Sequence, residues 1–303
     1  MARKFVDKCK RFLVGENVNE TKGVKIGLAI CSIVLFIWSL TLIYPFAWAL
    51  INTFKSPREF SSDSFGLPPV WRFDNWSKAF DKLQVNTLSG PVGLWGMIFN
   101  SLWYTFIGSL LTIVPCIMFS YAVAKYKFRH CKFLYTFAVI VMMIPIYGSM
   151  PANIKIFHEW GLMNTPLFLV GGMGVIGTST WLIMASYMES LPWTYAEAVF
   201  IDGGGHWTVF LKIMLPMCMP IITALYVIGC IAKWNDYMSP YIYLESFPTL
   251  ATGIFRLESS NFGRQNRPVY FASIIISTIP IFAVFMLCQD QIMNNVTIGG
   301  IKG

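Results

Sequence analysis

Six long apolar stretches constrain this chain more than any other feature. They run from about Ile26 to Ile51, Leu94 to Ala124, Phe133 to Ile154, Leu167 to Met188, Val209 to Ala232 and Tyr270 to Leu287. Crossing a hydrocarbon core of about 30 Å takes roughly 20 apolar residues in a helix. Lipid offers no partner to an unpaired backbone N–H or C=O, so each stretch is expected to be helical. The period-2 alternation of a membrane barrel is absent. Composition agrees: 55% of residues are hydrophobic and 13% are charged, where soluble domains carry about 25% charged residues. The mean hydropathy is +0.57. The expected fold class is an all-α membrane protein with six transmembrane helices.

Basic residues set the orientation. Arg3, Lys4, Lys8, Lys10, Arg11, Lys22 and Lys25 precede the first stretch, and Lys125, Lys127, Arg129 and Lys132 follow the second without an acidic residue. The loop after the first stretch mixes Lys55, Arg58, Arg72, Lys78 and Lys82 with Glu59, Asp63, Asp74 and Asp81. Positive-inside bias then places both termini, and the loop from Glu189 to Lys212, in the cytoplasm. The expected partition is a basic cytoplasmic segment over 1–25, a first span over 26–51, an extracellular loop over 52–93, a five-helix core over 94–290 and a cytoplasmic tail over 291–303. The first stretch is too long for a cleaved signal peptide and lacks a small-x-small exit, so it is expected to remain as an anchor. Pro68-Pro69 and Trp71 predict an ordered cap in the 52–93 loop. The formal net charge of +8 sits beside apolar segments rather than on a polar face, which excludes nucleic acid as a partner. None of the seven cysteines forms a C-x-x-C pair, and they read as small buried hydrophobes.

The loop between the fourth and fifth stretches holds a short amphipathic helix, expected at about 190–205. Ser190 suits its N-cap and Pro192 its first turn. Trp193, Ala196 and Phe200 recur at three- and four-residue spacing on one face. Gly203-Gly204-Gly205 ends it, because glycine tolerates positive φ. Glu197 and Asp202 are left to face a partner. Enzyme signatures fail by contrast. His158-Glu159 starts an H-E-x-x-H pattern in which Leu162 stands for the second His, and Gly172 to Gly177 is followed by Thr178 rather than the Lys of a phosphate loop. No G-x-S-x-G elbow occurs.

Polar uncharged groups lie within or beside the spans: Asn100, Ser101, Tyr104, Asn153, and Thr178 to Thr180. They suit either a neutral polyol or hydrogen bonds between helices. Trp234 and Tyr237 fit either a substrate path or an interfacial aromatic belt. Ionisable groups are scarce in the spans, with Lys212 near one end, which disfavours proton coupling but leaves sodium coupling through carbonyls open.

Glu197-Ala198-x, Gly203 at the sixth position after the Glu, and Ile213-x-Leu215-Pro216 resemble the cytoplasmic loop signature of ATP-binding-cassette importer permeases. Phe54 to Glu59, Asn100-Ser101-Leu102, Tyr121 to Phe128, Gly161 to Thr165, Trp234 to Tyr237 with Pro240, and Gly299 to Gly303 resemble segments of the maltose-type carbohydrate permeases, in particular the smaller six-span member of the pair. Val199 departs from the signature, which usually has Ala there. The resemblance implies the type-1 importer permease fold in a bacterial cytoplasmic membrane. It implies a heterodimer with a second permease chain, and two ATPase subunits that bind ATP and Mg; this chain itself carries no cofactor. It implies a solute-binding lipoprotein or periplasmic protein that delivers a carbohydrate, an oligosaccharide by this likeness. Glu197, Ala198, Asp202 and Gly203 are then ATPase-coupling residues. Asn100, Tyr104, Asn153, Thr180, Asn235 and Tyr237 are candidates for the substrate pathway, and Ser259 to Gly263 faces the binding protein. Two readings compete: an ion-coupled secondary carrier for a small neutral solute, and a membrane scaffold without transport.

Overall fold

The structure is a computed structural model that describes residues 22–126, 129, 131–144, 148–171, 174 and 178–298. The basic residues before Lys22, Lys127 and the Gly299 to Gly303 tail lie outside the described residues.

α1 (Lys22–Asn52) is apolar on every side, and its most apolar stretch buries nothing against the rest of the chain. A helix apolar all round needs lipid or another protein as its surroundings. It is tied to the fold near its end, where Trp48 meets Phe271 edge-on at 5.3 Å between ring centroids.

The following loop folds into an ordered cap. α2 (Pro57–Ser62) opens with a capping box, in which the Glu59 N–H donates to Ser56 and the Ser56 N–H donates to Glu59. That backbone donor holds the Glu59 carboxyl below its ordinary range. Asn75, at the start of α3 (Asp74–Lys82), donates to the carbonyls of Thr53 at 2.7 Å and Lys55 at 2.8 Å. The buried Lys55 donates to the Asp63 carbonyl at 2.9 Å. A hairpin of β1 (Val85–Thr87) and β2 (Gly90–Val92), with Val85 opposite Val92, leads into the core.

α4 (Leu94–Lys125) is the axis of the molecule. Its 32 residues span about 48 Å at ~1.5 Å per residue. Four helical stretches are long and apolar enough to cross a membrane among the described residues: Ile26–Asn52, Leu94–Lys125, His206–Trp234 and Arg267–Val284. The third and fourth expected spans are not continuous helices. The third is divided into α5 (Cys131–Met143) and α6 (Ser149–Glu159), with Gly148 at φ 80° before α6. The fourth is divided into α7 (Phe168–Gly171) and α8 (Ser179–Ser190), and the Thr178 hydroxyl caps α8 by accepting from the Trp181 N–H at 3.2 Å. Hydropathy measures length and overlooks Pro145 and the run of glycines at 171, 172, 174 and 177. Each glycine costs a helix interior about 1 kcal/mol and each proline about 3.

After α9 (Thr194–Ile201), α10 (His206–Thr208) passes through a π-helical turn, Val209–Met214, into α11 (Leu215–Trp234). Pro216 lacks the N–H that an α-helix would give the Lys212 carbonyl, and the wider turn lies just before it. Short helices α12 (Met238–Tyr243), α13 (Leu250–Ser259) and α14 (Asn261–Gln265) fold the next segment, and α15 (Arg267–Ile298) completes the bundle.

Trp181, Met184 and Met188 of α8 pack between Ile113, Cys116 and Tyr121 of α4 and Met214, Cys218 and Ile222 around α11. At the Leu94 end, Met97 packs with Leu83, Leu250 and Val269, joining the cap to α13 and α15. The α13–α14 turn is tight. Ser260 accepts from the Gly263 N–H at 3.0 Å, and a Cβ on Gly263 would overlap the Leu257 carbonyl. Gly263→Ala is therefore expected to cost about 1–3 kcal/mol, as overpacking does. A lower unfolding midpoint of the purified protein, with faster hydrogen exchange over 257–266, checks it.

Candidate functional site

α9 is a short helix held on the membrane core by one face. Ala196 is fully buried in the cluster of α4, α8 and α11, and Trp193, Val199 and Phe200 pack against the same cluster. The Lys125 ammonium, at the end of α4, donates to the Leu191 carbonyl at 2.6 Å, which ties the entry of α9 to the long axis helix. His206 closes the far side. Its Nδ1 lies 2.9 Å from the Tyr126 hydroxyl, and its ring meets Phe200 edge-on at 5.0 Å.

The exit from α9 is a Schellman turn. Gly203, at φ 80°, donates to the Phe200 carbonyl at 3.1 Å, and Gly204 donates to the Val199 carbonyl at 2.8 Å. These two bonds satisfy carbonyls at the end of the helix, and the left-handed step between them suits glycine. Val199 lies over Gly204, where a Cβ would collide with its Cγ1. The extra methyls of Val199 are thus accommodated by the missing side chain at 204. The start of the helix differs from the sequence expectation. Ser190 ends α8 and donates to the Tyr187 carbonyl at 2.7 Å, and Trp193 precedes the first helical residue. Serine serves either helix end, and tertiary packing chose the earlier one.

Glu197, Ala198, Asp202 and Gly203 all stand on the exposed side of this element. Ile201 joins them at 85% exposed, an apolar side chain facing away from the core. Sequence reasoning passed over Ile201, although its positions, four after Glu197 and three after Ala198, place it on their face. The arrangement offers a rigid knob with a carboxylate on one flank and an isoleucine at its tip. It encloses no pocket, and among the described residues no three His, Cys, Asp or Glu side chains converge to hold a metal ion.

The six candidates for a substrate path do not form one group. Tyr104 and Asn153 line one cavity of about 400 Å³ between α4, α6, α7 and α11. Asn235 and Tyr237 line another of about 580 Å³, beside α13 and α15. Asn100 belongs to neither: it is buried, donates to the Pro248 carbonyl at 3.1 Å and accepts from the Trp103 indole at 3.2 Å. Thr180 sits half-buried in the first turn of α8. Tyr237 stacks on Phe255 at 4.5 Å, and the Asn235 amide donates to the Ile231 carbonyl.

The first cavity also holds two charged residues that the span boundaries had hidden. Lys233 falls inside α11, one residue beyond the expected fifth span, so the stretch His206–Trp234 carries a cation besides Lys212. Its ammonium lies 5.4 Å from the centre of the Tyr104 ring. Asp236 accepts from the Tyr104 hydroxyl at 2.7 Å and from the Ser239 N–H at 3.0 Å. A pattern that weighed Lys233 and Asp236, three apart at a helix end, together with Tyr104 would have pointed here.

The family described as binding-protein-dependent transport system inner membrane component matches residues 116–298. The chain is similar to the diacetylchitobiose uptake system permease protein of Streptomyces coelicolor, 26% identical, with 89% of this chain and 88% of that protein covered. It is similar to the galactooligosaccharides transport system permease protein of Bacillus subtilis at 26% identity, covering 89% and 94%. It is also similar to the maltodextrin transport system permease protein of Bacillus subtilis at 27% identity, covering 89% and 94%. Among solved structures, a chain of a bacterial ABC transporter involved in the import of the acidic polysaccharide alginate superposes with a TM-score of 0.70. Its identity is 20%, over 90% of this chain and 99% of that one. That likeness shows a shared fold.

Proposed function

The chain belongs to the family of binding-protein-dependent transport system inner membrane components, and from that premise we propose that it forms half of the translocation pathway of an ATP-driven oligosaccharide importer in a bacterial cytoplasmic membrane. The observation that carries this reading is α9: a short helix fastened to the membrane core on one face and bare on the other. An ATPase subunit gripping Glu197, Ala198, Ile201, Asp202 and Gly203 would move the core with it. The Ala196 seat, the Lys125 bond and the Schellman exit leave the helix little freedom to slip. ATP and Mg would be bound by that subunit, since this sequence has no phosphate loop.

The carbohydrate assignment draws on the relatives, whose names speak of diacetylchitobiose, galactooligosaccharides and maltodextrin. Alternating access follows if ATP and a loaded binding protein favour different states of the pair of permease chains, because only differential binding shifts such an equilibrium. Isolation of this chain from native membranes is expected to bring with it a second permease chain, an ATPase and a saccharide-binding protein. A chain that purifies alone and moves solute down an ion gradient would overturn the proposal.

A further inference from the structure

We propose that Lys233 and Asp236 are the recognition centre of the cavity beside Tyr104, and that the group held there is a neutral saccharide unit. This deepens the importer reading and rests on it. Lys233 stands in the last turn of α11 and is partly buried against the cavity wall instead of extending freely into solvent. The stem of Lys233 runs over Gly108: a Cβ there would stand 2.9 Å from its Cδ and 3.1 Å from its Cε, so a side chain at 108 would displace the stem. The head reaches the Tyr104 ring, and the nearby Asp236 carboxylate attracts it. Asp236 is immobilised by Tyr104 and Ser239, and each of its oxygens keeps a spare lone pair.

One wall of the cavity thus offers a cluster of ammonium donors, beside a fixed carboxylate acceptor and the Asn153 amide. The other wall is aromatic, with Phe157, Trp160, Phe168 and Tyr243. Hydroxyl-rich rings with apolar faces match that lining, as small-ligand sites pair apolar walls with a few placed polar groups. The charges decide the class. Lys233 and Asp236 cancel, and among the described residues no other ionisable side chain lines the cavity except the Tyr104 and Tyr243 phenols. A uronate would gain the ammonium but meet the Asp236 carboxylate, whereas a neutral sugar engages both without opposing charge. The second cavity is a poorer candidate, because its Ser277 and Thr278 hydroxyls both donate to the Ile274 carbonyl.

The test uses the complete transporter in proteoliposomes with its binding protein, and measures uptake of maltotriose, galactotriose, cellotriose and trigalacturonate. Lys233→Met keeps the stem and removes the charge. It is expected to raise KM for the best neutral trisaccharide roughly 10- to 100-fold, the worth of a charge-assisted hydrogen bond, with a smaller change in kcat. Lys233→Arg is expected to restore most of the affinity, and Gly108→Ala, which displaces the stem, to reproduce part of the loss. Unchanged KM in Lys233→Met, or preferred uptake of trigalacturonate by the wild type, overturns the proposal. The dependence of wild-type uptake on ATP reads the importer assignment separately. The comparison of Lys233→Met with wild type is made at whatever energy source drives uptake, so the two readings fail independently.

Discussion

Glu197→Lys is expected to abolish ATP-driven uptake while the protein still inserts and folds. The residue is exposed on α9 and makes no contribution to the seat, which is built from Ala196, Trp193, Val199 and Phe200. Reversing its charge leaves the membrane core untouched and changes only what a docking subunit meets. Opposing charge at a protein interface costs about 2–5 kcal/mol, which is roughly 30- to 5,000-fold in affinity. Gly203→Pro should reach the same end by another route. Proline holds φ near −65°, whereas Gly203 sits at 80° and donates to the Phe200 carbonyl. Its replacement removes the Schellman exit and re-aims the tip of the knob. Gly203→Ala is the milder control, since a left-handed residue with a Cβ costs about 1–2 kcal/mol. The measurement is ATP-dependent uptake in proteoliposomes, with membrane insertion followed in parallel. Normal transport by both Glu197→Lys and Gly203→Pro would remove α9 as the point where force enters.

The second large effect is on stability. Trp181→Ala should cost about 3–5 kcal/mol, the usual range for truncating a large buried aromatic side chain. Trp181 is fully buried, with Phe119 at 5.7 Å and Tyr135 at 5.8 Å between ring centroids, and it is the largest side chain in the core that carries α9. Its indole N–H finds no acceptor among the described residues. Trp181→Phe is accordingly expected to be much milder, because it loses volume but also removes a buried donor without a partner. Thermal unfolding of the detergent-solubilised protein separates the two. Equal, small shifts for both variants would mean that the packing of α8 on α4 does not hold the core together. Because Trp181→Ala loosens the platform under α9, the ATP turnover of a complete transporter carrying this variant should also lose its dependence on transported solute.

Different parts of the molecule were legible in the sequence to different degrees. The exit of α9 was readable because a left-handed step at Gly203 is a local demand on one residue. The inward-facing stripe of Trp193, Ala196 and Phe200 was readable because it repeats with the helix. The start of α9 was misplaced, since Ser190 and Pro192 carry the same signals whichever helix they bound. Ile201 was missed because an isoleucine reads as core until the core is seen to be elsewhere. The third and fourth spans read as continuous because hydropathy adds up residues without asking whether a helix passes through them. The candidates for the substrate path were chosen as polar residues in apolar surroundings, and the fold then committed Asn100 to hydrogen bonds with the Pro248 carbonyl and Trp103 and divided four others between two cavities.

By itself the sequence determined what depends on neighbours along the chain: that long apolar helices able to cross a bilayer form, and that a short glycine-terminated helix stands between two of the apolar segments. Only the tertiary structure decided which side chains meet. Tyr104 and Asp236 are 132 residues apart and share one hydrogen bond, and Lys233 reaches across Gly108 to join them. Partition into lipid is a sum over residues and can be read in order. A contact between distant side chains exists only once helices have packed, and packing answers to shape, which no local pattern contains.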